Sequence, residues 1–584
     1  MESRTIWVIS ETDPCRVRSI RMALGLHEPV AKALVNRGVK TAEEARKFLE
    51  PHLSDLHDPY LFVDMKAAVS RIADAIRRQE QIVVYGDYDV DGITATAILV
   101  KFLRRLGGSV TAYIPDRQQG YGLNCDAIRL LASQGCKLVV TADCGISSYD
   151  EVALGSSLGI DFIVTDHHEP PARLPRAVAI LNPKVPGSGY PFSGLAGVGV
   201  AFKLVQAIVR VASRKPDISC YLKDYIDLAA LGTIADMVPM IDENRVIVRI
   251  GLPIVASGRN YGLAALCKVA GLPANEISVR DVLFALSPRI NAAGRMGSPY
   301  LALNLLLTED GRDAYERALE MDRLNTSRKS VQQEILEDIL FSLPAPADYE
   351  DAIVITIGEN WHPGVVGLVA SKITEMYYRP AVVLSLESGQ ARGSARSIPG
   401  FDMYAALCQC SDLLSEFGGH QQAAGLTVQE SKIEELTDRL RCIARESLNL
   451  QSLVRRVHID SVLTSSELNI DLARQVQLLE PFGESNPPPL FLVPRIPVLE
   501  YRTVGAESRH LKLTLGGLDS QVDAIAFGRG DFAMQILSNH IRTVDIVGEI
   551  TIDAWNGRER LQMVVHDIAS AGSAVLEGDS DTDQ

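Results

Sequence analysis

Three carboxylates at alternate positions, Asp87, Asp89 and Asp91, crowd the end of an apolar run at residues 82–85. Bringing like charges together at the edge of a core is costly unless a cation offsets them. Residues 82–85 read as a buried parallel strand and 93–106 as an amphipathic helix, which puts the three acids in a loop at the carboxyl end of a strand. Open α/β sheets bind ligands there. Carboxylate oxygens with no thiolate beside them suit Mg²⁺ or Mn²⁺. Taken alone, the stretch reads equally as a solvated Asp-rich turn or a Ca²⁺ loop. The Ca²⁺ reading weakens because an EF-hand has a helix on each side and a Glu at its twelfth position, which, counted from Asp87, is Ile98.

Further candidate ligands recur at later strand ends. A strand at 109–114 and a helix at 126–133 capped by Asn124 lead to a strand at 137–141, which runs into Asp143-Cys144-Gly145. A helix at 148–158 and a strand at 161–165 follow, the strand ending in Asp166-His167-His168. This alternation predicts a parallel sheet with right-handed crossovers. A His-His pair alone is usually a polar loop, but its place at a strand end matches that of the acids. Asp236 lies in the apolar stretch 229–239 and needs a partner if buried; by itself it reads as a helix end or half of a salt bridge. Cys144 reads as a small buried filler.

The 584 residues leave room for about three or four domains. Apolar residues make up 47% and charged residues 22%, a soluble globular balance. No apolar run is long enough to span a bilayer and none forms a leader at the start, so a cytoplasmic protein without membrane attachment is expected. Nine cysteines without a CxxC pair indicate neither a zinc knuckle nor a disulfide framework. The formal charge of −15 argues against a general nucleic-acid coat, though not against a local basic groove.

The expected organisation is a helical leader at 1–60, with Thr41 and Glu44 as a capping box, and a metal-binding domain at 61–310. A polar connecting helix at 311–345 leads to a second α/β domain at 346–450. A β-rich region at 455–570 contains one helix at 470–479 and a hairpin turn at Asn556-Gly557, and an acidic disordered tail closes the chain at 571–584. Within the second domain, strands are expected at 352–357 and 381–386, a helix at 403–416, and a small-residue loop at 390–397 carrying Ser394 and Arg396. The β-rich region suggests an OB-like barrel. Arg502, Arg509, Lys512, Arg529, Arg558 and Arg560, with Tyr501, Phe527 and Trp555, are its candidates to track phosphates and stack bases.

The series Gly86-Asp87-Tyr88-Asp89-Val90-Asp91-Gly92, Thr141-Ala142-Asp143-Cys144-Gly145, Asp166-His167-His168 and Gly232-Thr233-Ile234-Ala235-Asp236 resembles the DHH phosphoesterase superfamily, and within it the bacterial single-stranded-DNA exonucleases. The likeness continues through Pro288-Arg289-Ile290-Asn291, Trp361-His362-Pro363-Gly364 and Gly418-Gly419-His420. It implies two divalent ions, Mn²⁺ or Mg²⁺, held by Asp89, Asp91, Asp143, His167 and Asp236, with Asp143 bridging and Asp87 the weakest match. His168 is implied beside the scissile phosphate, as leaving-group acid or transition-state stabiliser. Tyr85 stands where distant members place a histidine, which shifts coordination towards Asp87 or water.

The resemblance further implies a fold of parallel-sheet DHH domain, connecting helix, DHH-associated domain facing it across a cleft, and OB-like barrel. Arg117, Arg289, Asn291, Arg295, Ser394, Arg396 and His420 are the implied substrate contacts, and Ser394 and Arg396 are expected to read a 5′-phosphate. The implied activity is 5′-to-3′ hydrolysis of single-stranded DNA in repair and recombination, with a single-strand-binding protein and a helicase as partners. One rival is a DHH phosphodiesterase for oligonucleotides or cyclic dinucleotides, which has no need of the barrel. A rival of another class is a non-catalytic single-strand-binding scaffold, which would be expected to lose ligands.

Overall fold

Side chains of the strand Gln81–Gly86 alternate between two cores, and this arranges everything around the acids. Ile82 and Val84 pack with Leu138, Val140 and Ile163 on one face; Val83 and Tyr85 pack with Val139 and Phe162 on the other. A strand buried on both faces belongs in the middle of a parallel sheet. In the computed structural model, which describes residues 5–117, 120–213, 218–448, 454–517, 521–555 and 558–576, that sheet runs Ser109–Tyr113, Gln81–Gly86, Cys136–Ala142, Asp161–Thr165, Ala179–Leu181. All its pairings are parallel. Helices Val90–Arg105, Gly197–Ala212 and Ile226–Ala235 cover the first face, and Cys125–Ser133 and Tyr149–Ser157 the second.

The helix after the Asp-rich stretch begins at Val90, earlier than the expected residue 93, because Asp89 caps it by accepting from the Gly92 amide at 3.0 Å. Asp91 therefore sits in its first turn and not in the loop, where a carboxylate is favoured by the exposed amides.

The chain divides into two compact units. One comprises Thr12–Asn325 with Ile470–Pro489; the other holds the residues up to Glu11, Thr326–Asn469 and the chain from Leu490 onward. The division falls inside one uninterrupted helix, Gly311–Ser342. Ile470–Gln477 was expected to interrupt the barrel, but it belongs with the sheet unit just described. Arg245 explains the attachment: its guanidinium donates to the carbonyls of Phe48, Leu478, Leu479, Glu480 and Pro481 at 2.6–3.3 Å.

In the other unit a five-stranded sheet runs Leu414–His420, Ala423–Gln429, Gln390–Arg396, Ala381–Glu387, Val354–Glu359. Two expectations are corrected here. Gln390–Arg396 is the central strand and not a loop; its small residues are what close packing requires, since a Cβ on Gly393 would lie 2.4 Å from Leu384 Cδ2. The expected helix at 403–416 stops at Cys408, and Gly418-Gly419-His420 is the end of a strand rather than a turn.

The strands Ser461–Val462, Phe491–Val504, His510–Gly516, Gln521–Ala526, Arg558–Ser570 and Thr543–Trp555 pair in that order, and the last pairs back to Phe491–Val504, which closes an OB-like barrel. The expected turn at Asn556-Gly557 lies outside the described residues.

The leader is not purely helical. Ile6–Ile9 forms a strand lying parallel between Arg456–Ile459 and Val575–Leu576. Pro14–Leu24 adds a helix capped by Asp13 before Glu28–Asn36 and Ala42–Leu49. Glu44 also departs from the capping box, accepting from the Lys40 amide at 2.7 Å. The tail is ordered through Val575–Leu576, and residues 577–584 lie outside the described residues.

Candidate metal centre

Strand register brings the acids level. Gly86 pairs with Ala142, so Asp87 and Asp143 leave neighbouring strands at the same height. Asp143 takes a left-handed backbone, φ 64°, and its amide donates to the Thr165 carbonyl at 3.0 Å. Asp91, 1% exposed, accepts from the first amides of another helix: Gly197 N at 2.7 Å and Val198 N at 2.8 Å. That approach depends on missing side chains. A Cβ on Gly197 would lie 2.4 Å from Asp143 Oδ1, and one on Gly232 would lie 2.3 Å from Thr94 Oγ1 and 3.0 Å from Asp91 Oδ1. Asp236 caps the helix Ile226–Ala235, which is buried from Ile226 to Ile234, and so projects from its end into the cluster.

His167 lies at the centre. Its Nε2 is 3.2 Å from Asp143 Oδ1, 3.5 Å from Asp236 Oδ2 and 3.9 Å from Asp91 Oδ2. Among the described residues three triads bring their ligand atoms within 4.8 Å of one another: Asp87, Asp89 and Asp143; Asp91, His167 and Asp236; Asp143, His167 and His168. Asp143 and His167 each belong to two.

The electrostatics are those of a site shaped for cations. Burial, then the Asp89 carboxylate, pushes Asp87 up to about 8, and the same causes push Asp236 up to about 8. Burial and neighbouring carboxylates raise Asp91 and Asp143 far above the carboxylate range. Burial, then the charge of His168, brings His167 down to about 3, leaving a neutral imidazole of the kind metals bind. Asp87 Oδ1, Asp143 Oδ1 and His167 Nε2 are buried without a hydrogen-bond partner, which native interiors rarely tolerate. Hard divalent cations fit this oxygen-rich donor set and would satisfy all three atoms. Asp87, the weakest match to the sequence pattern, joins one of the three triads. Tyr85 turns away, its hydroxyl donating to the Gly122 carbonyl at 3.2 Å.

His168 is held by two groups that the motif did not mark as functional. Its Nδ1 is 2.8 Å from Asp166 Oδ1 and 2.9 Å from the Tyr121 hydroxyl. Asp166 also accepts from the amides of Ile146, His167 and His168. Burial opposes its charge, but the His168 bond and these amides outweigh burial and lower its pKa. Burial likewise opposes a charge on His168, and the Asp166 bond outweighs it, raising His168 above the ordinary histidine range. The Tyr121 hydroxyl lies 3.1 Å from the Asp143 carbonyl, which it can meet as a donor. The only sequence signals were the carboxylate preceding the His pair and an aromatic among glycines.

The remaining candidates are spread over both units. Arg117 is exposed, with its guanidinium 5.0 Å from the Tyr88 ring. Asn291 and Arg295 are half-buried on the helix Ser287–Met296, which approaches the metal loop closely enough that a Cβ on Gly294 would lie 3.0 Å from the Tyr88 carbonyl. Arg289, on the same helix, is engaged by Asp322 at 2.9 Å and the Ala285 carbonyl at 2.7 Å. In the other unit Arg396 donates to Ser394 Oγ at 2.9 Å and Ser371 Oγ at 3.1 Å, and His420 is exposed at its strand end. In the barrel Arg529 is paired with Asp567 at 2.8 Å, Lys512 with Asp523 at 3.5 Å and the exposed Arg509 with Glu507 at 3.0 Å, while Tyr501, Phe527, Arg502 and Arg560 are exposed. The side chains of Trp555 and Arg558 lie outside the described residues.

Residues 81–233 match the family model described as DHH family, N-terminal domain; 350–446 match the DHHA1 domain and 459–567 the RecJ OB domain. The single-stranded-DNA-specific exonuclease RecJ of Bacillus subtilis is 39% identical over 572 residues, 97% of this chain and 71% of that protein. That of Escherichia coli is 35% identical over 553 residues, 91% of this chain and 94% of that protein. The crystal structure of RecJ from Thermus thermophilus in complex with Mn²⁺ superposes with a TM-score of 0.84 at 32% identity, covering 97% of this chain and 80% of that one. A Mg²⁺ complex of the same protein gives 0.79 at 31% identity, covering 99% and 80%.

Proposed function

The chain belongs to the RecJ family of single-stranded-DNA-specific exonucleases, and from that premise we propose how its own residues carry the reaction. It hydrolyses phosphodiester bonds of single-stranded DNA from the 5′ end, in repair and recombination. Asp87, Asp89 and Asp143 would hold one divalent ion, Mn²⁺ or Mg²⁺, and Asp91, His167 and Asp236 would hold a second. Three buried ligand atoms without partners, Asp87 Oδ1, Asp143 Oδ1 and His167 Nε2, carry this reading. A bound pair of divalent cations supplies activation of water and neutralisation of charge on the phosphoryl oxygens.

The protein's part is orientation. Asp91 is fixed by the Gly197 and Val198 amides, and Asp143 by its backbone bond to Thr165. Asp166 accepts from His168 Nδ1, which leaves Nε2 as the nitrogen that meets the phosphate or the leaving oxygen. Arg396 and Ser394 bind the 5′-terminal phosphate, whose charge exceeds that of an internal diester, with Arg117 and Arg295 as further cations for the strand. The exposed aromatics Tyr501 and Phe527 stack bases along the barrel.

A single-strand-binding protein and a helicase are the proposed partners, since an enzyme that takes only single strands depends on activities that expose them. No helix among the described residues is long and apolar enough to cross a membrane, and the cytoplasm, where bacterial DNA lies, is the proposed compartment. Degradation of single strands labelled at one end or the other, with Mn²⁺, tests the reading. Release of the 5′ label as short products before loss of the 3′ label is expected, and release from the 3′ end overturns the polarity.

A further inference from the structure

Lys184 stands at the rim of the metal centre. It follows the strand Ala179–Leu181, whose end is tied down by the buried Asn182: its Nδ2 donates to the His168 carbonyl at 2.9 Å and its Oδ1 accepts from the Lys184 amide at 2.8 Å. The lysine backbone is thereby fixed to the backbone of His168. Its charge is felt inside the cluster, opposing the rise at Asp236 after burial and Asp89 have caused it, and adding to the fall at His167. Yet the ammonium does not meet a cluster carboxylate. It lies 3.1 Å from Glu169 Oε1, in a pair where the lysine is 30% exposed and the glutamate 69%.

We propose that Lys184 binds a phosphodiester next to the scissile bond, and that Glu169 occupies the ammonium until the strand arrives. An exposed ion pair is worth little, so exchanging a carboxylate for a phosphate costs little. Glu169 follows directly after the His pair, where an approaching phosphate repels it. The pair thus disfavours loosely seated strands and yields only to one that presents a phosphate at this position. The proposal rests on the nuclease reading above and adds to it a substrate contact on the DHH sheet and a competitor for that contact.

The test uses the full chain, a fluorescent 5′-phosphorylated single strand, Ca²⁺ in place of Mn²⁺ to hold the strand uncut, and a salt series. Lys184→Ala is expected to weaken binding about tenfold and to flatten the slope of log affinity against log salt by roughly 0.7, the share of one phosphate contact on a single strand. Lys184→Arg restores both. Glu169→Gln, on an exposed side chain that leaves the fold alone, is expected to tighten binding about two- to fivefold. In the Lys184→Ala background that gain disappears. Wild-type cleavage with Mn²⁺ is the control: its absence overturns the nuclease reading. If the wild type cleaves while Lys184→Ala binds with unchanged affinity and slope, the lysine contact alone is overturned. An equal gain from Glu169→Gln in both backgrounds makes the glutamate a plain repulsive charge and overturns the exchange.

Discussion

Asp236→Asn should strengthen the fold without metal and weaken it with metal. Burial and the Asp89 carboxylate hold Asp236 at about 8, against an ordinary 3.8. The stability contributed by a group whose folded-state pKa is raised is fully present below its unfolded value and is lost as pH rises through the folded one, so the window runs from about 4 to 8. At 1.36 kcal/mol per unit, over the roughly three units between its unfolded value and pH 7, holding this carboxyl protonated in the fold at pH 7 costs roughly 4 kcal/mol at most. Protons shared with Asp91 and Asp143, and partial contact with water, bring the expected gain down to about 1–3 kcal/mol. In EDTA at pH 7 the variant should melt a few degrees above the wild type, and the difference should shrink as pH falls towards 4. In Mn²⁺ the order should reverse, because the wild type keeps one more ligand. Melting curves at pH 5, 6, 7 and 8, each in EDTA and in Mn²⁺, read all of this. A wild type more stable than the variant in EDTA at pH 7, with no loss of its own stability between pH 5 and 8, would refute the reasoning.

Asp143→Asn, which tolerates the left-handed backbone, should abolish Mn²⁺-dependent cleavage with an unchanged circular dichroism spectrum; substantial residual cleavage removes Asp143 from the metal set. Arg396→Ala should lose about ten- to a hundredfold in affinity for 5′-phosphorylated strands and much less for 5′-hydroxyl strands; equal losses make it a general backbone contact. Tyr501→Ala combined with Phe527→Ala should raise KM for long strands about tenfold or more while leaving kcat in place, as measured on long and short substrates side by side. Point changes serve better here than deletion from residue 455, which would also remove the carbonyls that hold Arg245. Arg245→Leu should lower unfolding stability by about 3–5 kcal/mol in denaturant titration, since it strips donors from five carbonyls at once.

The candidate cluster is partly legible in the sequence because its acids and His167 sit at or just past the ends of apolar runs that read as buried strands or a helix, and that shared position sets them apart from a solvated turn. What surrounds it is less so. Asp166 and Tyr121 act through distances that depend on loop conformation, and no spacing rule encodes them. Gly197 matters only because Asp143 happens to lie opposite it. The strand Gln390–Arg396 hides because glycine, serine and alanine read as loop residues, although a crowded central strand also needs small ones. Leu414–His420 was hidden by its continuity with the short helix Met403–Cys408. Arginines are the least readable, because no sequence signal shows that Arg289 and Arg529 face Asp322 and Asp567.

The strand Ile6–Ile9 lies between Arg456–Ile459 and Val575–Leu576, and Trp7, 2% exposed, donates from its indole nitrogen to Asp567 at 2.8 Å. Asp567 follows Trp7 by 560 residues. At roughly 5–20 residues per second, a ribosome takes from about half a minute to about two minutes between adding Trp7 and adding Asp567. Until Arg456–Ile459 emerges, Ile6–Ile9 is an unpaired apolar edge, while the sheet that carries the candidate metal ligands has already emerged. Nascent chains should therefore bind divalent metal before Ile6–Ile9 finds its place, and a chaperone that covers extended apolar segments would have its longest opportunity at that strand.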